Sequence, residues 1–350
     1  MACPHSEIVG VGMGNTALTE KFGFVGERLS DAEYHQCIEE LTEKSKSIFD
    51  NFQHVLSYEN KDSHGDIDCA AVCTASDSVI QEAIKLHFGA RYVRKNSYVY
   101  SFDYKGKYQI DLAILPDASS LRAHMFYCNY SPVGNVMGRI LKQTGLKLGT
   151  NGLTYPIKLS DAECLGEVVI FDPFTAASEQ RILEFFGSSR LYGNFKDQED
   201  IFRFLAESRF FNGTIFQFEN LNHVNRKRDS KRGDYHAWPE YIKDRPDTFQ
   251  GDPNKKVYLG FLERFFNRDI TEQWKNLYGS YLIVKDNNSK FNGDMVMELT
   301  GKTGKDLGLL IKDYKQTFLG DTNFNKYLLT HTAPEVKEHF LNWTNESTNL

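Results

Sequence analysis

The chain has 350 residues and a formal net charge of −6 at pH 7, with 41% hydrophobic and 25% charged residues. This composition is ordinary for a soluble globular protein, and the length is enough for two or three domains with buried cores. The six cysteines lack paired CxxC spacing, which argues against a disulfide framework and against a zinc site.

The sequence contains no sign of a membrane span or an export signal. No run approaches about 18 consecutive apolar residues, and no charged, apolar and small-residue leader opens the chain. We therefore expect a cytoplasmic protein with no membrane partner. The negative net charge would repel nucleic acid if it were evenly spread, so a nucleic-acid partner would have to meet a local basic patch.

Residues 1–28 are rich in glycine and show little hydrophobic periodicity, which indicates an N-terminal arm. Within it, Gly10-Val11-Gly12-Met13-Gly14 suggests a dinucleotide site, but no strand-turn-helix unit surrounds these glycines and the later glycine spacing is wrong. The next segment, Ser30-Asp31-Ala32-Glu33, is typical of a capping box. It predicts a helix that runs to about residue 53.

Two aspartates stand at the start of a predicted strand. His54 to Ser57 can form a first core strand, and Ser63-His64-Gly65 is a turn that leads into a second strand over residues 66–73. Asp66 and Asp68 are two residues apart, so both carboxylates project from one face of that strand. Because neighbouring carboxylates repel each other, the pair indicates a divalent cation between them.

A third aspartate lies in a predicted hairpin. A helix is expected over Ser76–Phe88, and residues 97–104 and 107–115 have the pattern of two strands joined by a tight turn. Asp111 lies on the opposite face of the returning strand from its apolar residues, where burial without a counter-ion would be costly. Three carboxylates on neighbouring strands can bind two Mg²⁺ or Mn²⁺ ions about 4 Å apart, an arrangement that serves in-line displacement at phosphorus.

The rest of the chain is predicted to be mainly helical. Two more strands are expected over residues 153–158 and 167–171. Helical segments are expected over residues 121–149, 176–186, 197–208, 257–266 and 271–284, and after a glycine-punctuated turn near residue 301. A sheet followed by a largely helical C-terminal half predicts an α+β fold.

A basic run lies in the helical half. Residues 225–232 hold five cations against one anion, and His223, Tyr235, His236 and Trp238 flank the run. Charge clusters are usually solvated loops, but aromatic side chains that can stack on bases favour contact with nucleic acid or with a triphosphate. The candidate nucleic-acid-binding residues are Arg226, Lys227, Arg228, Lys231 and Arg232.

The acidic motifs read HGDIDC over residues 64–69 and YQIDLAIL over residues 108–115. They resemble the Asp-x-Asp plus distal Asp signature of the DNA polymerase β-like nucleotidyltransferase superfamily, which includes CCA-adding enzymes, poly(A) and poly(U) polymerases and repair polymerases. The resemblance covers roughly residues 44–115. It implies a nucleotidyltransferase-type mixed sheet with flanking helices and a nucleoside triphosphate substrate.

The same resemblance implies a phosphate-binding turn. In that superfamily a Gly-Ser turn about ten residues before the Asp pair holds the incoming triphosphate through backbone and hydroxyl groups. Here the matching place holds Leu56-Ser57-Tyr58, so the serine is present and the glycine is not. Lys61 lies between the turn and the Asp pair and could supply a positive charge to the phosphates. The candidate nucleotide-binding residues are Ser57, Lys61, Ser63 and Gly65.

These observations predict an N-terminal arm over residues 1–28, a nucleotidyltransferase catalytic domain over 29–172 and mainly helical substrate-binding domains over 173–350. Asp66, Asp68 and Asp111 are the predicted catalytic residues and metal ligands for transfer of NMP from an NTP to a hydroxyl acceptor. The favoured acceptor is an RNA 3′ end, as in tRNA or poly(A)-type tailing. The alternatives are a repair DNA polymerase, a transferase acting on a small molecule or nucleotide signal, and a noncatalytic RNA-binding protein.

Overall fold

The computed structural model describes residues 17–159, 164–230 and 233–347. The glycines at positions 10, 12 and 14 lie outside the described residues, as do Lys231 and Arg232 of the basic run. The described part of the predicted arm packs on the protein. Leu18 is fully buried, and the Glu27 N–H donates to the Lys107 carbonyl at 2.7 Å.

In chain order, the elements up to residue 115 are α1 (Thr19–Phe22), β1 (Leu29–Ser30), α2 (Asp31–Ser45), β2 (Asp50–His54), β3 (Ser63–His64), β4 (Ile67–Val72), α3 (Asp77–Phe88), β5 (Val93–Asn96), β6 (Val99–Tyr104) and β7 (Tyr108–Leu115). The next elements are α4 (Ala118–Cys128), α5 (Val133–Leu141), β8 (Lys147–Gly149), β9 (Gly152–Lys158), β10 (Cys164–Val169), α6 (Ala176–Phe186) and α7 (Gln198–Ala206). They are followed by α8 (His223–Asp229), α9 (Gly233–Ile242), α10 (Leu259–Phe266), α11 (Ile270–Lys290), α12 (Gly293–Thr300), α13 (Gly304–Gln316), α14 (Asp321–Thr330) and α15 (Ala333–Ser347).

A five-stranded mixed sheet lies at the centre of the first part of the chain. Its spatial order is β2-β4-β7-β6-β5, in which β4 and β7 are parallel and the other neighbours are antiparallel. Buried residues of α2 and α3 join those of the sheet in one hydrophobic core. Together with the helical C-terminal part, this sheet confirms the predicted α+β fold class.

The predicted hairpin is present as β6 and β7. Lys105 and Gly106, which join the two strands, have φ values of +56° and +67°. Two consecutive residues with positive φ are typical of the type I′ turn, whose twist matches that of an antiparallel pair. Lys107 follows the turn as an extra residue before β7, so Tyr104 pairs with Tyr108 and Ser101 on β6 lies opposite Asp111 on β7.

The start of α2 agrees with the predicted capping box, but its end does not agree with the prediction. The Ser30 hydroxyl accepts from the Glu33 N–H, and the Glu33 carboxylate accepts from the Ser30 N–H at 2.8 Å. The helix ends at Ser45, and the first strand of the sheet is β2, which begins before His54 rather than at it. Ile48 and Phe52 continue the apolar spacing of the helix, yet they pack on the same core from a turn and a strand.

The described chain divides into two compact units. One comprises residues up to 158 and 166–270, and the other comprises 159–165 and 271–350. In the second unit, α12–α15 enclose an apolar core around Tyr314 and Phe340. The boundary predicted between a catalytic domain over residues 29–172 and mainly helical domains over 173–350 stays a prediction. Within the described residues, no helix has the length and apolar content to cross a membrane.

The Ser30 cap gives a prediction for stability. Ser30→Ala removes the side-chain acceptor for the Glu33 amide and should lower the free energy of unfolding by about 1 kcal/mol. Ser30→Thr is the matched control, because the threonine hydroxyl can still accept from the Glu33 N–H and donate to the Glu33 carboxylate, so it should retain most of the stability. Urea denaturation followed by circular dichroism measures both variants. An alanine variant as stable as the wild type would show that the capping box does not hold this helix start.

Candidate functional site

The parallel pairing of β4 and β7 brings the three predicted aspartates together. Asp68 lies directly opposite Asp111 in the register of this pair, and Asp66 precedes the first residue of β4. One carboxylate oxygen from each of the three lies within 4.8 Å of the others. Ile67 and Cys69, which point to the other face of β4, are buried in the core. The site is therefore an acidic cluster on a rigid sheet.

Asp111 is the most buried of the three, with 7% of its surface exposed. Burial, and secondly the charge of Asp66, raises the pKa of the Asp111 carboxyl to about 7. Hydrogen bonds from Ser101 and Gln109 act in the opposite direction by stabilising the carboxylate. Burial and the repulsion by Asp66 thus place the Asp111 carboxylate under electrostatic strain. A divalent cation would relieve that strain, so the donor set fits a hard metal ion such as Mg²⁺ or Mn²⁺.

Gln109 connects Asp111 to the N-terminal segment, here defined as residues 17–30. Its amide nitrogen donates to both Asp111 carboxylate oxygens at 3.1 and 3.2 Å, and its amide oxygen accepts from the Leu18 N–H at 3.4 Å. Only 1% of its surface is exposed. The alternation of β7 places Gln109 on the face of Asp111, but nothing in the sequence identifies Leu18 as its partner.

His64 lies next to the site without facing it. It is 4% exposed, and its ring stacks on Tyr34 with centroids 3.7 Å apart. Burial lowers the pKa of His64 to about 4, so the imidazole is neutral at physiological pH, with its Nε2 3.5 Å from the Asp31 carboxylate. His64 is thus a packing residue between the site and α2.

An open cleft with a volume of about 410 Å³ adjoins the acidic cluster. Three of the predicted nucleotide-binding residues, Lys61, Ser63 and Gly65, line it together with Asp66. Ser57 is not in the lining, but its hydroxyl accepts from the Lys61 ammonium at 3.3 Å. The remaining lining residues are Arg28, Tyr58 and Asp62.

The first part of the basic run forms a helix, and Asp229, the one acidic residue of the run, anchors this helix to Arg139. α8 contains Arg226, Lys227 and Arg228, and it ends at Asp229, whose carboxylate accepts two hydrogen bonds from Arg139 at 2.6 and 2.7 Å. Arg226 and Lys227 do not take part in this ion pair. The structure therefore places the described cations of the run on a docked helix rather than a loop.

The aromatic neighbours of the run differ from the prediction. Trp238 is 1% exposed and packs among Phe202, Phe211 and Phe216, so it cannot stack on a base and the interpretation of it as a flanking platform is wrong. Among the side chains that the structure describes near the run, Phe218 has an exposed ring, at 63% exposure, and the Arg226 guanidinium lies 5.7 Å from its centroid. The large apolar surface of Trp238 favours its burial among these rings, and this could not be read from its position near charges.

Comparison with known proteins gives limited similarity. No protein-family model and no curated protein matches the chain. Among solved structures, it is similar to the ternary P/T complex of Leishmania infantum polymerase beta, with 13% identity and a TM-score of 0.31. That match covers 39% of this chain and 61% of the polymerase chain. We therefore interpret the site from its own residues.

The buried acid gives a prediction for the metal-free protein. The unfolded Asp111 titrates near its ordinary value of 3.8 and the folded one near 7, so between these values the native state binds more protons than the unfolded state. The free energy of unfolding therefore falls as pH rises through this window and stays lower above it. Asp111→Asn removes the charge and should raise the Tm in EDTA at pH 8 by about 2–4 °C or more.

Differential scanning fluorimetry in EDTA at pH 5 and pH 8 measures this effect. Asp117→Asn is the matched control, because Asp117 is the exposed N-cap of α4 and asparagine also caps helices. Addition of Mn²⁺ should raise the Tm of the wild type and of the control more than that of Asp111→Asn. An Asp111→Asn protein that is less stable than the wild type in EDTA at pH 8 would contradict the account.

Proposed function

We propose that the chain is a metal-dependent nucleotidyltransferase that transfers NMP from an NTP to a hydroxyl acceptor, with an RNA 3′ end as the favoured acceptor. The observation that carries this proposal is the convergence of Asp66, Asp68 and Asp111, with ligand oxygens within 4.8 Å of one another beside an open cleft. The resemblance of the two acidic motifs to those of the nucleotidyltransferase superfamily supports it. The predicted cytoplasmic location stays part of the proposal.

The three aspartates have different roles in the proposed reaction. Asp66 and Asp68 would hold both cations, and Asp111 would hold the one next to the attacking hydroxyl. When bound, two divalent ions supply charge neutralisation for the triphosphate and lower the pKa of the attacking hydroxyl. Asp111, beside the cation next to the attacking hydroxyl, would accept the hydroxyl proton or help to lower the pKa of that hydroxyl.

The proposed chemistry is an in-line displacement. The acceptor oxygen forms a bond to the α-phosphorus, the bond from that phosphorus to the bridging oxygen breaks, and pyrophosphate leaves with the electron pair. Lys61, Ser63 and Gly65 in the cleft, with Ser57 positioning the Lys61 ammonium, would bind the β- and γ-phosphates. Asp66 of the acidic cluster lines the same cleft as Lys61, Ser63 and Gly65, which supports this arrangement.

The choice of RNA as acceptor rests on the basic run. Arg226, Lys227 and Arg228 lie on α8, and Phe218 offers an exposed ring beside Arg226. Cations next to an exposed aromatic ring are suited to single-stranded nucleic acid, because the ring stacks on a base while the cations bind phosphates. Lys231 and Arg232 complete the run in the sequence and belong to this proposal.

Three other hypotheses predict different acceptor behaviour. A repair polymerase would extend primed DNA, and a transferase for a small molecule or nucleotide signal would need no nucleic acid. A noncatalytic RNA-binding protein would bind RNA in a salt-dependent way and consume no triphosphate. One gel assay distinguishes these hypotheses. The protein is incubated with labelled ATP, CTP, GTP or UTP in Mg²⁺ or Mn²⁺, and the acceptor is tRNA, oligo(A), primed DNA or none.

Loss of one metal ligand should abolish turnover. Asp68→Asn keeps the shape of the side chain but removes a charge that both cations would need, so transfer should fall by several orders of magnitude. Asp117→Asn changes a carboxylate in the same way on the exposed cap of α4 and should keep wild-type activity. Circular dichroism checks that both variants fold. Retained transfer by Asp68→Asn in Mg²⁺ would refute the assignment.

The basic helix should control RNA affinity and its salt dependence. Arg226→Gln with Lys227→Gln should weaken binding of single-stranded RNA and reduce the slope of log K against log salt by about 0.7 for each phosphate that the helix no longer binds. Lys85→Gln with Arg91→Gln removes the same charge from exposed positions outside the run. Fluorescence anisotropy over a salt series measures both. Equal salt slopes for the two double variants would show that the basic helix does not bind the RNA acceptor.

A further inference from the structure

Arg28 is a cation at the phosphate cleft that the sequence did not identify. Its side chain lines the cleft that also contains Lys61 and Asp66. The Nη2 group donates to the Ser63 carbonyl at 3.2 Å and to the Ser63 hydroxyl at 2.9 Å, and Nε lies 3.3 Å from the same hydroxyl. Ser63 therefore holds the guanidinium against the wall of the cleft.

The backbone around Arg28 is fixed on both sides. Before it, the Glu27 N–H donates to the Lys107 carbonyl at the β6–β7 turn. After it, Leu29 is fully buried and pairs with His64 where β1 meets β3. An arginine whose main chain is anchored in this way loses less conformational freedom when it binds a ligand.

The charges of the cleft leave two cations without an acidic partner. In the part of the chain that the structure describes, no carboxylate lies within ion-pair distance of Arg28 or Lys61, and Nη1 of Arg28 has no hydrogen-bond acceptor. The carboxylates of Asp62 and Asp66 also line this cleft but form no ion pair with Arg28 or Lys61, so both cations are open to a bound anion. Guanidinium prefers a phosphate, which it can bind with two parallel hydrogen bonds.

We propose that Arg28 binds the β- and γ-phosphates of the incoming nucleoside triphosphate, so that the N-terminal segment forms part of the active site. This inference rests on the proposed nucleotidyltransferase function. A triphosphate fits better than an isolated anion, because the cleft that holds the two cations also contains Asp66 of the acidic cluster. The arginine supplies a charged contact in a chain where Leu56 stands in place of the glycine of the phosphate-binding turn.

The test compares triphosphate and monophosphate binding. Arg28→Gln can still donate to Ser63 but has no charge, so it should weaken binding of NTP and of inorganic triphosphate in Mg²⁺ about tenfold or more, with little change for NMP. Arg28→Lys keeps the charge without the planar fork and should lose only part of the affinity. Arg91→Gln is the control, since Arg91 is an exposed arginine outside the cleft.

Isothermal titration calorimetry without an acceptor gives these affinities independently of turnover. In steady-state transfer, Arg28→Gln should raise KM for NTP and the inhibition constant of pyrophosphate by similar factors. If the wild type binds NTP and transfers NMP while Arg28→Gln binds NTP as tightly as Arg91→Gln, the inference about Arg28 is wrong and the proposed function stands. If the wild type neither binds nor consumes NTP, both are wrong.

Discussion

The repulsion among three carboxylates held on adjacent strands is the interaction on which the rest of this protein depends. The parallel register of β4 and β7 places Asp68 opposite Asp111, and Asp66 stands one residue before the strand. The side chains cannot move apart into solvent, because the backbone hydrogen bonds of the sheet fix the positions of their Cα atoms. The pKa of Asp111 is raised first by its burial and secondly by this repulsion, which comes from Asp66. Cations are the natural way to relieve it.

Neighbouring elements hold the acidic cluster in place. Ser101 and Gln109 donate to Asp111, and Gln109 is itself bound to the Leu18 N–H, so the N-terminal segment helps to orient the buried acid. The same segment presents Arg28 to the open cleft beside the acidic cluster through the β1–β3 pair. One short stretch of chain thus binds Gln109, which donates to Asp111, and also lines the cleft where the triphosphate is proposed to bind.

The sequence predicted those parts of the site that depend on local spacing. The two-residue separation of Asp66 and Asp68, the Lys105-Gly106 turn and the alternation of β7 were each enough to place a side chain on a face. The sequence predicted that the strands of the two motifs are neighbours, but it did not predict their parallel register. The predicted end of α2 was wrong, because Ile48 and Phe52 keep a helical spacing in the sequence but pack on the core from a turn and a strand.

The sequence did not reveal contacts between distant residues. Leu18 and Gln109 are 91 positions apart, and Arg28 meets Ser63 across 35 positions, so no window of the sequence contains both partners. The burial of Trp238 was missed for a related reason, since its aromatic partners come from α7 and from the segment that follows it. Local patterns predict which face a side chain occupies, whereas its partners depend on the tertiary fold.

The central claim is that Asp66, Asp68 and Asp111 together hold divalent cations. A crystal structure of the wild-type protein grown with Mn²⁺ and an NTP whose α,β-bridge cannot be cleaved tests it most directly through anomalous scattering. The account predicts two anomalous peaks about 4 Å apart, both contacted by Asp66 and Asp68 and one of them also by Asp111. Full nucleotide density in the cleft with no anomalous peak within coordination distance of the three aspartates would contradict it.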